Sequence, residues 1–490
     1  MKKFTLVALA MMASASCFAQ TTQTTPTTLW DGEDTKITSG EHAGFWGDAS
    51  PVLENNPETD GINTTAHCLK FVITKGGNNN TVKLPFRDWI KPSMNGSKRV
   101  SLMIKKENAE NVIVQLSDPT DGSTGYWYNQ ATWYDGGNKW QKLVFDFTAN
   151  GDFDKPGVMS ITPQAGNIDG DQIVYIDNIV IEDAPRINGK LFSEYNAENP
   201  ISGALTLTGA WMKGSSINVD DKWKNNTYND FEFFKTQATD GVTSIDMRGT
   251  VTKDVDINQF FKNPNTIVYA DAAYEHANVV VNGTAASVEL TDANAFNAPE
   301  DFTATTVKLT RGVQKGINSF VLPFAATAEE LGATQVATYD SYDKAAKIAN
   351  FKTAADVAAN TPFLTMDVAE DKVTDVLNFR EKSIVATPES LGTDFVGVYA
   401  KTDANGKYGI NAEGKLQKGG EGAYVNAFHA YLNVKDPAGV AFNGSTPTAI
   451  NGVAADKVAD TAVYDLSGRR VYGKLQKGLY IMNGKKVVVK

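Results

Sequence analysis

The densest aromatic run in the chain is Tyr126-Trp127-Tyr128-Asn129-Gln130-Ala131-Thr132-Trp133-Tyr134-Asp135. On an extended strand successive side chains point to opposite faces, so Tyr126 and Tyr128 share one side while Trp127 takes the other. One face can then enter a core and leave the other in solvent. Aromatic faces stack on the polarised C–H groups of sugar rings, and planar amides and carboxylates suit sugar hydroxyls. Tyr126, Tyr128 and Trp133 are therefore candidate stacking platforms, with Asn129, Gln130 and Asp135 as candidate hydroxyl partners. Trp46, in Gly44-Phe45-Trp46-Gly47-Asp48, is a candidate second platform. The competing reading makes these rings core, because aromatics supply much of the buried area of any sandwich.

Other chemistry is harder to place. The four histidines, His42, His67, His276 and His429, are not paired at metal-ligand spacing, and no His-Glu-x-x-His run occurs. A Gly-x-Ser-x-Gly elbow and a Gly-x-x-x-x-Gly-Lys-[Ser/Thr] phosphate loop are both missing. Asp403-Ala404-Asn405-Gly406 has its glycine too early for a calcium loop and reads as a hairpin turn. Glycoside hydrolysis needs only two carboxyl groups roughly 5–10 Å apart, which sequence does not measure. Glu232, in Phe231-Glu232-Phe233-Phe234, is the nearest candidate, but alternation makes it a solvent-facing acid between buried aromatics. The expectation is that the chain is not an enzyme. A net charge of −11 without a long basic run also argues against a nucleic-acid partner, since a phosphate backbone needs clustered Lys and Arg.

The elements that must position these residues read as strands. At 490 residues the chain exceeds one core and should divide into about three domains. Lys2-Lys3 precede an apolar stretch from Phe4 to Ala13, and Ala19 precedes Gln20, which reads as a secretory signal peptide over 1–19. Cys17 lacks the large aliphatic residue that a lipidation motif places three positions earlier. A Thr/Gln-rich leader follows over 20–28. Beyond it, short apolar runs alternate with Gly, Asn, Asp and Pro clusters: Leu69 to Thr74, Val100 to Lys105, Val112 to Leu116, Lys142 to Phe147, Gly157 to Thr162 and Ile173 to Ile181. In the fourth of these, Leu143, Phe145 and Phe147 face one way, and Lys142 and Asp146 the other. This is the pattern of an all-β sandwich over 29–185. Its remaining cysteine, Cys68, sits in an apolar run and reads as a buried thiol. A β-rich spacer or small domain is expected over 186–298 and a further β-rich unit over 299–446, with a short helix from Ala325 to Leu331. The last segment, 447–490, reads as a β-meander of three strands, with Asn483-Gly484 as a hairpin turn.

Three resemblances add to this reading. Trp140-Gln141-Lys142-Leu143-Val144-Phe145-Asp146-Phe147, Val174-Tyr175-Ile176-Asp177-Asn178-Ile179, Leu29-Trp30-Asp31-Gly32-Glu33 and Asn56-Pro57 with Asp60-Gly61-Ile62-Asn63 resemble the jelly-roll sandwiches of carbohydrate-binding modules and galactose-binding-like domains. That resemblance implies a core Trp140 and a structural calcium held by Asp177 with oxygens from the region of Asp31 and Glu33. Val242-Thr243-Ser244-Ile245-Asp246-Met247 resembles one rung of a leucine-rich array, and one rung does not make a solenoid. Val463-Tyr464-Asp465-Leu466-Ser467-Gly468-Arg469-Arg470-Val471 with Lys477-Gly478-Leu479-Tyr480-Ile481-Met482 is similar to the type IX secretion sorting tails of Bacteroidetes proteins, though shorter. The combined expectation is a mainly β, multidomain, secreted or surface-attached protein. Its N-terminal jelly roll binds polysaccharide, and its tail offers a means of surface attachment. The rival is a structural or adhesive surface protein with a protein partner and no glycan.

Overall fold

The computed structural model describes residues 27–31, 33, 46–47, 51–59, 61–75, 81–85, 97–117, 127–147, 158–164, 166–215, 227–250, 261–272, 276–370, 372–443, 448–449, 463–464, 470–471, 478–482 and 485–489. Their regular secondary structure is nearly all strand, and they fall into two compact units, 1–282 and 283–490.

The first unit opens with a sandwich of antiparallel strands: β1 (Thr27–Trp30), β2 (Trp46–Gly47), β3 (Val52–Asn55), β4 (His67–Ile73), β5 (Val82–Pro85), β6 (Lys98–Lys106), β7 (Glu110–Ser117), β8 (Trp127–Tyr134), β9 (Gln141–Phe147), β10 (Val158–Thr162) and β11 (Gln172–Asp183). One sheet has the order β3-β4-β11-β6-β9 with β1 also on β11; the other runs β2-β5-β10-β7-β8. Alternation fixes the core. Leu143, Phe145 and Phe147 are buried against Val112, Val114, Leu116, Met159 and Ile161 of the opposite sheet. β11 contributes Val174 and Ile176 and then, with the parity reversed, Ile179 and Ile181. A β-bulge between Asp177 and Val180, with Asn178 at φ 44°, makes the reversal possible, because an extra residue shifts a strand's period by one.

The outer face of the six-stranded sheet is partly covered. Trp140 is buried there with Cys68 and Met103, and its Nε1 donates to Asn56 Oδ1 at 3.0 Å. Elsewhere on this face Arg99, 4% exposed, donates to both carboxylate oxygens of Asp146 (2.7 and 3.0 Å) and of Asp230 (2.7 and 3.2 Å), and to the Ala210 carbonyl at 2.8 Å. Burial works against the guanidinium charge, but the bonds from Asp146 and Asp230 outweigh it and raise its pKa. The chain turns past this point at Gly209, φ 80°, where a Cβ would meet the Ala184 carbonyl at 2.3 Å.

The rest of the first unit contains β12 (Arg186–Ile187), β13 (Gly203–Thr208), β14 (Lys213–Ser215), β15 (Thr227–Asn229), the short helix α1 (Glu232–Lys235), β16 (Val242–Asp246), β17 (Ile267–Ala270) and β18 (Val279–Val281). β13, β16, β17 and β18 pair in parallel. The segment read as one leucine-rich-like rung, in a stretch expected to be a β-rich spacer or small domain, therefore has parallel neighbours on both sides. Leu205, Leu207, Val242, Ile245, Met247, Val268, Ala270 and Val279 form its core with Trp211, Phe231 and Phe234. Buried asparagines join the turns between rungs: Asn263 Nδ2 donates to the Val242 carbonyl and Asn278 Nδ2 to that of Pro264, each at 2.8 Å. The rungs are joined by connections of unequal length, so no period shows in the sequence.

The second unit begins at Gly283, earlier than Pro299, because Thr284–Thr291 pairs in parallel with Phe302–Val313. Phe302–Val313 in turn pairs antiparallel with Lys372–Ile384. Residues 326–331 are a two-residue strand and a 3-10 turn rather than one helix. Among the described residues of the terminal segment, the expected three-strand meander is a four-stranded antiparallel sheet, since Arg470–Val471 adds a hairpin partner to Val463–Tyr464, and Thr448–Ala449 pairs separately with Gly439–Phe442.

Asp230→Ala leaves the buried Arg99 with one carboxylate in place of two. Removing one partner of a buried pair costs about 3 kcal/mol, and denaturant unfolding of the full chain should show a loss of that order.

Candidate functional site

The free face of the five-stranded sheet follows from the same alternation. With Val112, Val114 and Leu116 inside, Asn111, Ile113 and Gln115 take outward positions on β7. Their partners on β8 are Trp133, Ala131 and Asn129. On β10 the positions of the same parity are Ser160, opposite Gln115, and Thr162, opposite Ile113, and both are buried, so the face is open chiefly along β7 and β8. The ladder continues from Ser160 to Lys83 on β5 and from Lys83 to Trp46 on β2. One cross-strand row therefore reads Trp46, Lys83, Ser160, Gln115, Asn129. At ~4.8 Å between strands it spans about 19 Å. Trp133, 48% exposed, stands beside Asn111 at the end of the edge strand.

β8 is anchored at that end from below. Tyr134 is fully buried; its hydroxyl accepts the Lys106 and Lys139 N–H groups at 3.1 and 3.2 Å and lies 2.7 and 2.8 Å from their carbonyls. Lys106 Nζ lies 4.9 Å from the Tyr134 ring centroid and donates to Gln164 Oε1 at 3.0 Å; burial pushes its pKa down to about 8. Thr132 Oγ1 donates to the Val144 carbonyl of β9 at 2.7 Å. Buried bonds thus fix the inward side of β8 while its other side stays open.

The sequence-predicted site residues distribute unevenly over this frame. Trp133 and Asn129 share the outward face, and the backbone row includes Trp46. Gln130 is exposed but occupies the opposite parity, and Asp135 lies half-buried in the turn after β8. Tyr128 holds a backbone position of the same parity as the buried Tyr134, so Tyr128 and Trp133 do not belong to one face. Tyr126 lies outside the described residues. Sequence reading missed Asn111, Ile113, Gln115, Ser160 and Thr162. The apolar alternation of β7 gives the parity of its three, but only the register joins them to Asn129 and Trp133.

The calcium set does not assemble as expected. Asp177 is fully buried inside the β11 bulge. Its carboxylate accepts the Asn63 amide at 2.8 Å, the Asn178 backbone N–H at 2.7 Å and the Thr65 hydroxyl. Burial raises its pKa, against the lowering effect of those bonds. Glu33 accepts from the N–H groups of Ala66 and His67 and meets His67 Nδ1 at 3.0 Å, while Asp31 is exposed and accepts the Glu33 N–H. The His67 hydrogen bond lowers the Glu33 pKa. Among the described residues no three His, Cys, Asp or Glu side chains converge as a metal site. Both Asp177 oxygens already face protein donors, whereas a calcium shell wants six to eight oxygens turned towards the ion.

The other candidates resolve in structural terms. Glu232 is exposed on α1 and pairs with Lys235 at 2.7 Å, between buried Phe231 and Phe234; the helix rather than strand alternation turns it to solvent. His429 Nε2 is 3.3 Å from Asp292 Oδ2 and its Nδ1 3.3 Å from Arg311; burial, then the Arg311 charge, push its pKa down to about 4. Asn405 and Gly406 form a turn, with the Asn405 N–H bonded to Asp403 Oδ1. His42 lies outside the described residues.

No protein-family model matches the chain, and no curated protein matches it. Solved structures similar to it include an exo-β-agarase, at 16% identity and a TM-score of 0.25 over 32% of this chain; the match spans only 25% of the agarase chain. A family 16 carbohydrate-binding module matches at 15% identity and a TM-score of 0.19, over 28% of this chain and 85% of that one. A CBM22-2 xylan-binding domain from Paenibacillus barcinonensis matches at 12% identity and 0.23, over 30% and 94%.

Because protein donors satisfy Asp177, a chelator should leave the melting temperature of the full chain unchanged. Asp177→Ala, which strands the Asn63 and Thr65 donors in a buried site, should lower stability by roughly 1–3 kcal/mol. A melting temperature that falls with chelator, and no longer falls in Asp177→Ala, would reinstate the cation.

Proposed function

We propose that the sandwich binds polysaccharide on the outward face of the five-stranded sheet, without catalysing its cleavage. The observation that carries this reading is the half-exposed Trp133, on an edge strand, with Asn111 and Asn129 exposed and Gln115 half-buried at positions of the same face. A large apolar ring left in solvent beside neutral amides matches a ligand that is apolar on its ring faces and hydroxylated at its edges. The described positions of this face include no Asp or Glu, and that supports binding over hydrolysis, which works through paired carboxyl groups. Lys2-Lys3 with the apolar stretch after them, and the antiparallel strands of the tail, support export to the cell surface.

A glycan array probed with the full chain should select at least one polysaccharide. Trp133→Ala should weaken that binding by about 1–2 kcal/mol with little change in melting, since aromatic anchors carry most of a small interface's energy. Tyr134→Ala should do the reverse, with about 3–5 kcal/mol lost from stability. A wild-type chain that binds nothing on the array, or a Trp133→Ala chain that binds undiminished, sinks the reading. For export, a chain cut before Pro447 should be trapped in the periplasm, and its delivery to the surface would remove the tail's role.

A further inference from the structure

Among the described residues β8 is the last strand of its sheet, and no described strand completes the ladder along one of its edges. The outward platform sits at the end of that edge. Across the sandwich, the first residue of β9 is Gln141, 1% exposed. It shares the inward parity of Leu143, Phe145 and Phe147, and its amide reaches over to β8 instead of filling the core. Gln141 Oε1 accepts the backbone N–H of Asp135 at 2.9 Å, and Gln141 Nε2 donates to the backbone carbonyl of Trp133 at 3.3 Å. A planar amide that accepts from one backbone group and donates to the next but one does what a neighbouring strand would do. It closes the ladder across the two peptide units on either side of Tyr134.

From this geometry we infer that Gln141 is a positioning residue for the glycan platform: its side-chain amide fixes the backbone that aims Trp133 at the ligand. The inference rests on the reading that Trp133 touches the glycan. The Tyr134 hydroxyl and the Thr132 bond to Val144 hold the inward side chains of β8, but neither bonds the Trp133 carbonyl. Gln141 also works from inside the sandwich, shielded from solvent, where a hydrogen bond competes less with water. Its action on binding passes through Trp133 alone, because it touches the platform strand from the face opposite to the ligand.

That routing is what a double-mutant cycle separates from a general structural role. Affinity would be measured by gel retardation of the full chain in soluble β-glucan, xylan and galactomannan, using the polysaccharide that retards the wild type most. Gln141→Met keeps the length and removes both bonds; it should weaken binding about tenfold through a loosened platform. Trp133→Ala should weaken it at least as much, and the double variant Trp133→Ala/Gln141→Met no further. Gln141→Glu, which retains the acceptor for the Asp135 N–H, should fall between wild type and Gln141→Met. Should Gln141→Met fail to fold, the cycle is closed with Gln141→Glu instead. Losses that add in the double variant, or a Gln141 variant that binds as wild type while Trp133→Ala does not, overturn the inference and leave the glycan site standing. Undiminished binding by Trp133→Ala overturns both.

Discussion

A β-sheet has two faces, and a sandwich can bury only one face of each of its sheets against the other. The N-terminal architecture depends on how the two remaining faces are used. On the six-stranded sheet much of the outer face is taken. Trp140, Met103 and Cys68 form a small second core there, and Arg99 draws in Asp230 and the Ala210 carbonyl, leaving Val72 and Ile173 exposed. On the five-stranded sheet the outward positions of β7 and β8 carry Asn111, Ile113, Gln115, Asn129, Ala131 and the half-exposed Trp133, while Ser160 and Thr162 of β10 are buried. The division of labour follows from strand parity and the residues that occupy it, without any special loop.

Parity also explains why much of the fold was legible in the sequence. Lys142 to Phe147 alternates strictly, and the observed strand Gln141–Phe147 buries the expected side. The six strands read in the sandwich all form, with ends within two residues of those read. What alternation does not carry is register. Nothing in Gln115 or Ser160 announces that they stand in one row with Asn129, because that depends on how separate strands slide against one another. Tyr128 and Trp133 belong to one motif in sequence, yet five positions apart on a strand is an odd number, and an odd separation puts them on opposite faces. Local interruptions mislead in the same way. Unbroken alternation through β11 would have sent Ile179 and Ile181 outward, and only the bulge at Asp177 brings them in.

The parallel block was harder to see for a different reason. A solenoid rung stabilises itself through its neighbours, so its signature is repetition, and β13, β16, β17 and β18 are separated by connections too uneven to repeat. Buried Asn263 and Asn278 hold the turns, but an asparagine beside a proline reads first as an ordinary loop. The candidate calcium ligands show the complementary case: Asp31, Glu33 and Asp177 have the right chemistry for a hard cation, while the hydrogen-bond donors that engage Glu33 and Asp177, scattered among Asn63, Thr65, Ala66, His67 and Asn178, could not be read beside them in sequence.

Arg99 also bears on how such a chain can be reassorted in evolution. Sandwiches are often regarded as cassettes, exchangeable between proteins at their linkers. This one carries a guanidinium whose second carboxylate, Asp230, is encoded well beyond the sandwich's last strand. A recombination event that moved only the sandwich would strand that charge, and one that moved only the parallel block would strand the acid. The heritable cassette is therefore larger than the sandwich alone, and a cut at Pro185 would separate the charge from its second carboxylate.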